Sequence, residues 1–261
     1  MNALAAIFVA AVGLVFGSFL NVCIARLPRH ESIVRPRSRC PHCGAAIAAR
    51  DNVPLLSFML LQGRCRACRE TISWRYPAIE LATAALWVLC WLRFGPTLQA
   101  LGMAAFCFLL LGLAAMDAET MRLPNSFTFS GIVLGVVYSG AICGGRWARC
   151  AVLSLSWAAT AAGILLAVSG AYWLLRRREG MGMGDAKLLA MIAAWLSPGL
   201  ALLALFLGVA ATAVYGLGIS IARRRLDGTV PLPFGSFLCA AALYAAFQGQ
   251  HILDWYGGFF R

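Results

Sequence analysis

Residues 178–187 read REGMGMGDAK, and this stretch decides how the rest of the chain is interpreted. Three glycines precede one carboxylate, Asp185, and an apolar run over residues 188–196 follows it. An ionisable residue at the edge of a membrane-length apolar segment is costly, so it indicates a functional site. The plainer interpretation is a loop that ends at the last glycine and an aspartate that caps the next helix. The glycines that let the backbone bend and let another chain approach closely are Gly180, Gly182 and Gly184.

The composition is typical of a membrane protein. Of the 261 residues, 61% are hydrophobic and 12% are charged, whereas soluble domains carry about a quarter charged residues. A helix needs roughly 20 mostly apolar residues to cross a bilayer. Apolar segments predict an all-α polytopic membrane protein with about eight transmembrane helices, near residues 3–21, 78–95, 98–116, 127–143, 151–175, 185–198, 199–221 and 233–250. The first is interpreted as a retained helix, since no convincing cleavage pattern accompanies it.

The basic residues are distributed unevenly between the two sides of this predicted bundle. With eight spans, 18 of the 22 lysines and arginines fall on one side and 4 on the other. The side rich in basic residues is expected to face the cytoplasm, which places both termini outside. Anionic lipid headgroups are sufficient partners for these arginines. Contact with membrane lipids therefore explains the net charge of +12, and no nucleic acid partner is predicted.

Two cysteine pairs lie in the one long polar region, residues 24–77. Each pair has two residues between its cysteines, and 21 residues separate the pairs. This spacing is typical of a tetrahedral zinc site, and a reducing compartment disfavours disulfides. The region has few apolar residues for a core of its own, so a structural metal would supply folding energy. We predict a small cytoplasmic zinc-binding domain between helices 1 and 2, with the ligands Cys40, Cys43, Cys65 and Cys68.

A second acid of the same kind is Asp117, which ends an apolar run that begins at Leu109. By the topology count, Asp117 and Asp185 lie at the cytoplasmic edges of two different spans. If these spans pack together, the carboxylates can meet, and like charges a few ångströms apart share one proton. One carboxylate can then take a proton from water while the other donates to a carbonyl oxygen. The pair therefore indicates aspartic protease chemistry, with the glycines admitting an extended substrate backbone.

Three other features have plainer interpretations. Gly17 and Ser18 are expected to form a helix-packing interface. Glu80, at the start of the second span, is at least as well explained by the helix dipole as by catalysis. The remaining six cysteines are scattered and are interpreted as small apolar fillers; they are Cys23, Cys90, Cys107, Cys143, Cys150 and Cys239.

Several motifs in order resemble the type IV prepilin leader peptidases, which also process the pseudopilins of type II secretion. Residues 182–185 resemble the GxGD signature of intramembrane aspartic proteases. Further motifs of the family resemble five other parts of the chain, which are residues 17–22, the two cysteine pairs, residues 75–80, residues 117–124 and residues 233–235. The chain departs from the family pattern at two places. Asn125 follows Leu-Pro where many relatives have aspartate, and Ser236 stands where many have proline.

The resemblance implies a bifunctional enzyme of the bacterial inner membrane with its active site at the cytoplasmic face. Such an enzyme cleaves the basic leader of a prepilin or pseudopilin after a glycine. It then methylates the new N-terminal amine with S-adenosyl-L-methionine as the methyl donor. The catalytic pair corresponds to Asp117 and Asp185. The methyl-donor site rests on the resemblance alone, because no glycine-rich nucleotide loop is visible in the sequence.

The predicted domains are a first transmembrane helix over residues 1–23, the zinc-binding domain over 24–77 and a transmembrane peptidase domain over 78–261. Two other classes of protein remain as alternatives. A transporter would also carry acids in the membrane, but usually near the midplane. A zinc-dependent scaffold would need the cysteines and not the aspartates.

Overall fold

The computed structural model describes residues 3–177, 182–222 and 232–258. Gly180, one of the glycines of the organising stretch, lies outside the described residues. The nine α-helices of these residues are α1 Ala3–Arg26, α2 Leu56–Leu60, α3 Arg75–Phe94, α4 Leu98–Thr120, α5 Asn125–Ile142, α6 Trp147–Arg176, α7 Met183–Trp195, α8 Pro198–Ala222 and α9 Phe234–Gly258. Short 3-10 turns cover Leu27–Arg29, Ala49–Asp51 and Gly144–Arg146. The described residues form no extended strand, which confirms the prediction of an all-α fold.

Each predicted span corresponds to one helix. Six of them, α1, α3, α4, α5, α6 and α8, are long and apolar enough to cross a membrane. The protein is thus a multi-pass membrane protein, while the count of eight spans stays a prediction. With 13 residues, α7 is about 20 Å long, less than the roughly 30 Å of a bilayer core. The second half of α9 carries the polar side chains of Gln248, Gln250, His251 and Asp254.

Burial explains why α7 is so apolar despite its length. Every residue from Leu188 to Trp195 is buried, and α7 packs against α5, α6, α8 and α9. A helix that is apolar on all sides belongs inside a bundle. The sequence pattern of a transmembrane segment therefore reflects protein neighbours here as well as lipid.

Residues 1–112 form one compact unit, in which α1 packs along α3. A Cβ added at Gly13 would lie 2.7 Å from the Cα atom of Ala84, and one at Gly17 would lie 2.6 Å from that of Glu80. Only glycine permits such close approach of two helices. The helix-packing interface expected around Gly17 is confirmed. Asn21, also on α1, is buried and donates to the carbonyl oxygen of Tyr76 at 3.0 Å.

Residues 113–261 form the second compact unit, and Trp195 fixes α7 within it. The indole N–H of Trp195 donates to the carbonyl oxygen of Gly131 at 2.8 Å. A Cβ at Gly135 would lie 2.7 Å from the indole ring, so glycine is needed on this face of α5. On the other side, the hydroxyl of Ser154 in α6 donates to the carbonyl oxygen of Ala194 at 2.8 Å.

The prediction for the six scattered cysteines is wrong for two of them. Cys143 and Cys150 form a disulfide across the turn between α5 and α6. Their Cα atoms are 6.3 Å apart, within the range that a disulfide requires. This turn is on the side predicted to face away from the reducing cytoplasm, where disulfides persist. The other four, which are buried as apolar fillers should be, are Cys23, Cys90, Cys107 and Cys239.

Candidate active site

Asp117 is buried in the last turn of α4, with 5% of its surface exposed. Its Oδ2 atom accepts a hydrogen bond from the backbone N–H of Ser236 at 2.7 Å, and the Ser236 hydroxyl lies 3.0 Å away. A Cβ at Gly235 would lie 3.0 Å from the carboxyl carbon of Asp117. The Asp117 carboxylate thus packs against the backbone of α9, where Gly235 leaves room for it and Ser236 donates a hydrogen bond to it.

The position of Asp117 at the first turn of α9 has a simple electrostatic basis. Ser236 is the third residue of α9, and the first backbone N–H groups of a helix have no partner within the helix. These groups and the helix dipole together attract an anion. A buried carboxylate needs such partners because removal from water disfavours its charged form. Asp117 and the start of α9 therefore satisfy each other.

Asp185 is half-buried and lies in the first turn of α7. Gly182 is the N-cap residue of this helix, and the Asp185 carboxylate lies beside it, with Oδ2 3.7 Å from the position of an added Cβ. An acid at the third position of a helix is placed to reach back to the N-cap backbone in this way. The plainer interpretation of Asp185 is thus correct in part, since the residue does lie at the helix end, although it is not itself the N-cap.

The two carboxylates lie close enough to repel each other electrostatically. Both also lie near Cys239, a fully buried residue of α9. Each acid is placed at the start of a helix, Asp117 at α9 and Asp185 at α7. The positive ends of two helix dipoles therefore offset the repulsion that bringing the acids together creates.

Two contacts hold the turn between α4 and α5, together with the first residue of α5, against the start of α7. A Cβ at Gly184 would meet the side chain of Leu123 at 3.3 Å. The ammonium group of Lys187 donates to the side-chain oxygen of Asn125 at 2.9 Å. The glycine before Asp185 is therefore used for packing against Leu123. Gly182, by contrast, is exposed and has no heavy atom within 3.4 Å of an added Cβ.

Ser236 is the residue of this site that the sequence analysis undervalued. In the sequence it is only a departure from proline, yet its backbone N–H and its hydroxyl both contact the Asp117 carboxylate. The single proton of its hydroxyl is shared between Asp117 Oδ2 at 3.0 Å and the carbonyl oxygen of Ala114 at 2.9 Å, one turn before Asp117 in α4. The sequence offers only a general signal, because the unpaired N–H groups at a helix start can donate to a buried acid from elsewhere in the chain. The identity of the partner acid was not predictable from spacing.

The four predicted zinc ligands come together in the other compact unit. The sulfur atoms of Cys40, Cys43, Cys65 and Cys68 all lie within 4.8 Å of one another. Sulfurs placed tetrahedrally at about 2.3 Å from zinc are about 3.8 Å apart, and the sulfurs of Cys40 and Cys68 are 3.9 Å apart. The donor set and its spacing fit a zinc ion, so this cluster can hold one.

The two cysteine pairs are built alike. The N–H of Cys40 donates to the carbonyl of Ala45, and the N–H of Cys65 donates to the carbonyl of Glu70. Each pair therefore sits in a tight turn that aims both sulfurs to one side. The backbone N–H groups of Cys68 and Ala67 bond to the Cys65 sulfur and lower the pKa of this thiol to about 6. A thiolate, the form that binds metal, is thereby favoured at neutral pH.

The comparisons with known proteins agree with this arrangement. Residues 11–94 match the bacterial peptidase A24 N-terminal domain, and residues 104–217 match the type IV leader peptidase family. A prepilin leader peptidase/N-methyltransferase of Burkholderia pseudomallei is 38% identical, with 96% of this chain and 88% of the relative aligned. Proteins of the same name from Aeromonas salmonicida and Stutzerimonas stutzeri are 34% and 33% identical, covering 93% and 100% of this chain and 90% and 96% of the relatives. No solved structure matches the chain. The chain belongs to the type IV leader peptidase family.

Proposed function

We propose that this protein is a membrane aspartic endopeptidase that removes the leader peptide of type IV prepilins or of type II secretion pseudopilins. The observation that carries the proposal is the meeting of Asp117 and Asp185 at the starts of two helices. In the proposed mechanism the pair shares one proton, and the titration belongs to the pair as a unit. Membership in the family and the names of the relatives support the substrate class.

Each carboxylate has a defined task in the proposed hydrolysis. The ionised member takes a proton from water, and the resulting hydroxide bonds to the scissile carbonyl carbon. The protonated member donates to the carbonyl oxygen, giving a tetrahedral intermediate. When that intermediate collapses, the C–N bond breaks, the protonated acid gives its proton to the leaving amine, and the ionised acid takes the proton of one hydroxyl as the carbonyl forms again. The pair therefore ends with one shared proton. The new carboxyl group ends the leader, and the new amine begins the mature protein.

The proposed site leaves a path for an extended substrate. We assign the approach of the substrate backbone to Gly180, Gly182 and Gly184, as the sequence suggested. Gly182 has the open surroundings that this role requires, whereas the space next to Gly184 is taken by Leu123. Among the described residues, Gly182 is thus the best supported of these positions. The proposed position of the acids is at the cytoplasmic edges of two spans and not near the midplane, which favours a protease over a transporter.

Methylation of the new N-terminal amine is the second proposed activity. It extends to this chain the N-methyltransferase named for the relatives, with S-adenosyl-L-methionine as co-substrate. Residues that bind the methyl donor are not assigned. We further propose that Cys40, Cys43, Cys65 and Cys68 bind one structural zinc ion. Four protein ligands leave no open position for a reacting water, so the ion would hold the fold of residues 24–77.

The proposed location is the bacterial inner membrane, with the acids and cysteines at the cytoplasmic face and lipids, not nucleic acid, around the arginines. The proposed domains are residues 1–23, 24–77 and 78–261. Reporter tags test the topology. A tag within residues 24–77 should report cytoplasm, and a tag after Arg261 should report the outer side. A cytoplasmic C-terminus would contradict the eight-span topology and the shared side of the two aspartates.

One assay tests the activity itself. Purified protein is incubated with a prepilin substrate, and loss of the leader and gain of a methyl group are followed by mass spectrometry. The proposal expects cleavage without the methyl donor and a further mass gain of one methyl group when the donor is added. Absence of cleavage by the folded, metal-loaded protein would contradict the proposed function.

A further inference from the structure

Exposed apolar side chains lie on the small α2 helix and at Trp74, the residue before α3, which contacts α2 through Phe58. The side chains of Leu56, Met59 and Leu60 share one face of α2, because they are three or four residues apart. The ring of Phe58 packs on that of Trp74, with centroids 4.9 Å apart. We call the four exposed residues the α2 patch; Leu56, Met59, Leu60 and Trp74 are 52%, 72%, 73% and 76% exposed.

Such a surface requires an explanation. Single exposed apolar residues are ordinary, but a contiguous patch with an aromatic residue marks a binding site for protein or lipid. Within the described residues of the unit that carries it, 3–112, no side chain covers the patch. Its occupant must therefore come from outside this unit.

A hydrogen bond sets the depth of the α2 patch relative to a membrane-crossing helix. The backbone N–H of Leu55 donates to the carboxylate of Glu80 at 2.8 Å. Glu80 is the sixth residue of α3, which places it roughly 7 Å along the helix axis from the helix start. Trp74 directly precedes α3. The patch is thus held level with the first turns of a helix that crosses the membrane.

The charge around the α2 patch points to one class of partner. Residues 24–77 contain ten arginines and three acidic residues. Arg64, just after α2, and Arg75, just after Trp74, flank the patch in the sequence. Apolar side chains with tryptophan and neighbouring arginines are typical of segments that lie in the boundary between headgroups and acyl chains. Anionic headgroups attract the arginines, and the acyl boundary receives the apolar side chains.

We propose that the α2 patch docks residues 24–77 onto the surface of an anionic lipid bilayer. The four apolar side chains enter the headgroup–acyl boundary, and the arginines face the phosphates. The occupant is therefore lipid and not a protein partner. Because α2 is tied to α3 through Glu80, the bilayer surface then orients the whole cysteine-containing domain. This proposal stands apart from the proposed peptidase activity and needs only the membrane.

Fluorine NMR of the full-length protein in lipid nanodiscs tests the proposal. The tryptophans are replaced biosynthetically by 5-fluorotryptophan, and Trp74→Phe assigns the Trp74 resonance. Two paramagnetic reagents are compared, a doxyl group on the upper acyl chain of phosphatidylglycerol and a gadolinium chelate in water. We expect the doxyl lipid to broaden the Trp74 resonance and the chelate to leave it nearly unchanged.

Two other tryptophans serve as internal controls. Trp157 is exposed in mid-α6 and should respond to the doxyl lipid, whereas Trp195 is buried and should respond to neither reagent. The paired change Met59→Glu with Leu60→Glu should make Trp74 accessible to the chelate. Val34→Glu is the matched control, since Val34 is 77% exposed in the same domain but outside the patch; it should change nothing.

Three outcomes with the unaltered protein would overturn the proposal. Trp74 that responds to the chelate and not to the doxyl lipid lies in water. If that response disappears when a prepilin is added, the patch binds the protein substrate instead of lipid. If Trp74 responds to neither reagent, another protein surface covers it. None of these outcomes depends on whether the glutamate variants fold or whether the protein cleaves its substrate.

Discussion

The aspartate pair and the cysteine cluster are both groups of ionisable side chains, but the protein builds them in opposite ways. The cysteines come from two similar turns, and each turn aims its own two sulfurs. The aspartates come from single positions on α4 and α7, and helix starts stabilise them. The cysteine cluster supplies four ligands and is complete in itself. The aspartates each keep capacity for another partner. The aspartate pair is therefore suited to reaction, and the cysteine cluster is suited to stabilising the fold.

The largest effect should follow removal of either acid. We expect Asp117→Asn and Asp185→Asn each to reduce cleavage by about 10³-fold or more, since proton transfer by a positioned acid contributes about 10²–10⁴-fold. The double variant should be scarcely slower than either single one, because the pair acts as a unit. The rate of leader loss is measured by mass spectrometry.

The matched control for these variants is Asp254→Asn, which alters an exposed aspartate of α9 whose carboxylate accepts a hydrogen bond from Gln250 at 2.9 Å. It should cleave at the rate of the unaltered protein. Normal cleavage by either Asp117→Asn or Asp185→Asn would remove the catalytic pair from the proposal.

A smaller effect on cleavage should follow loss of one thiolate. We expect Cys43→Ser or Cys65→Ser to weaken metal binding by at least about a hundredfold, because even residues outside the ligand set alter metal affinity by about 10–100-fold. Cleavage should fall less than with the aspartate variants, and methylation should fall more than cleavage. Metal content and both activities are measured on the same preparations.

Two experimental results would contradict the prediction for the cysteines. Chelation that stops cleavage at once without disturbing the fold would show that the metal acts in hydrolysis. A purified protein that carries no metal under reducing conditions would remove the zinc proposal. Cys90→Ser serves as a control for the substitution, since Cys90 is buried beside Cys107 and away from the cluster.

The effect of Ser236→Ala on the rate of cleavage should lie between that of the aspartate variants and that of Asn125→Asp. The backbone bond to Asp117 remains, but the hydroxyl is lost; a hydrogen bond to a charged group is worth about 1.5–3 kcal/mol. We expect kcat to fall by about tenfold at unchanged KM, because Ser236 positions Asp117 and does not bind substrate. Ser236→Thr keeps both donors and should restore most of the rate.

Ser220→Ala is the matched control, since the Ser220 hydroxyl donates only within α8, to the carbonyl of Gly216 at 2.9 Å. It should leave kcat and KM unchanged. If Ser236→Ala raises KM and leaves kcat intact, Ser236 contacts the substrate rather than positioning Asp117.

The smallest effect should follow Asn125→Asp. This change replaces the neutral acceptor of Lys187 with a carboxylate, and a partly exposed ion pair contributes only about 0–1 kcal/mol. We expect cleavage to change by less than about fivefold. The same mass-spectrometric assay measures it. A large loss of cleavage would show that a third carboxylate disturbs the proton shared by the pair.

Much of the fold was predictable because membrane helices are specified by long apolar runs. The predicted segments near 98–116 and 199–221 differ from α4 and α8 by a few residues at their ends. Asp117 and Asp185 were predictable as candidates because a charge at the end of a long apolar run is costly. The cysteine ligands followed from local spacing alone.

Other features depend on contacts that no local pattern encodes. Ser236 gained its role when α9 brought it to Asp117, which is 119 residues away in the sequence. The apolar run of α7 indicated a span, although its burial comes from neighbouring helices. Cys143 and Cys150 lack the spacing of a known motif, and their pairing depends on how α5 turns into α6.

The disulfide between Cys143 and Cys150 has a consequence for biogenesis. In the proposed orientation the chain carries thiolates on one side of the membrane and an oxidised pair on the other. Metal loading of the cysteine domain then belongs to the cytosol, while the α5–α6 turn is oxidised only after it has been translocated. Production in a host that lacks oxidative folding outside the cytoplasm should yield a protein with normal metal content but a reduced, more protease-sensitive turn. Correct maturation of this enzyme would thus draw on two separate redox environments of the cell.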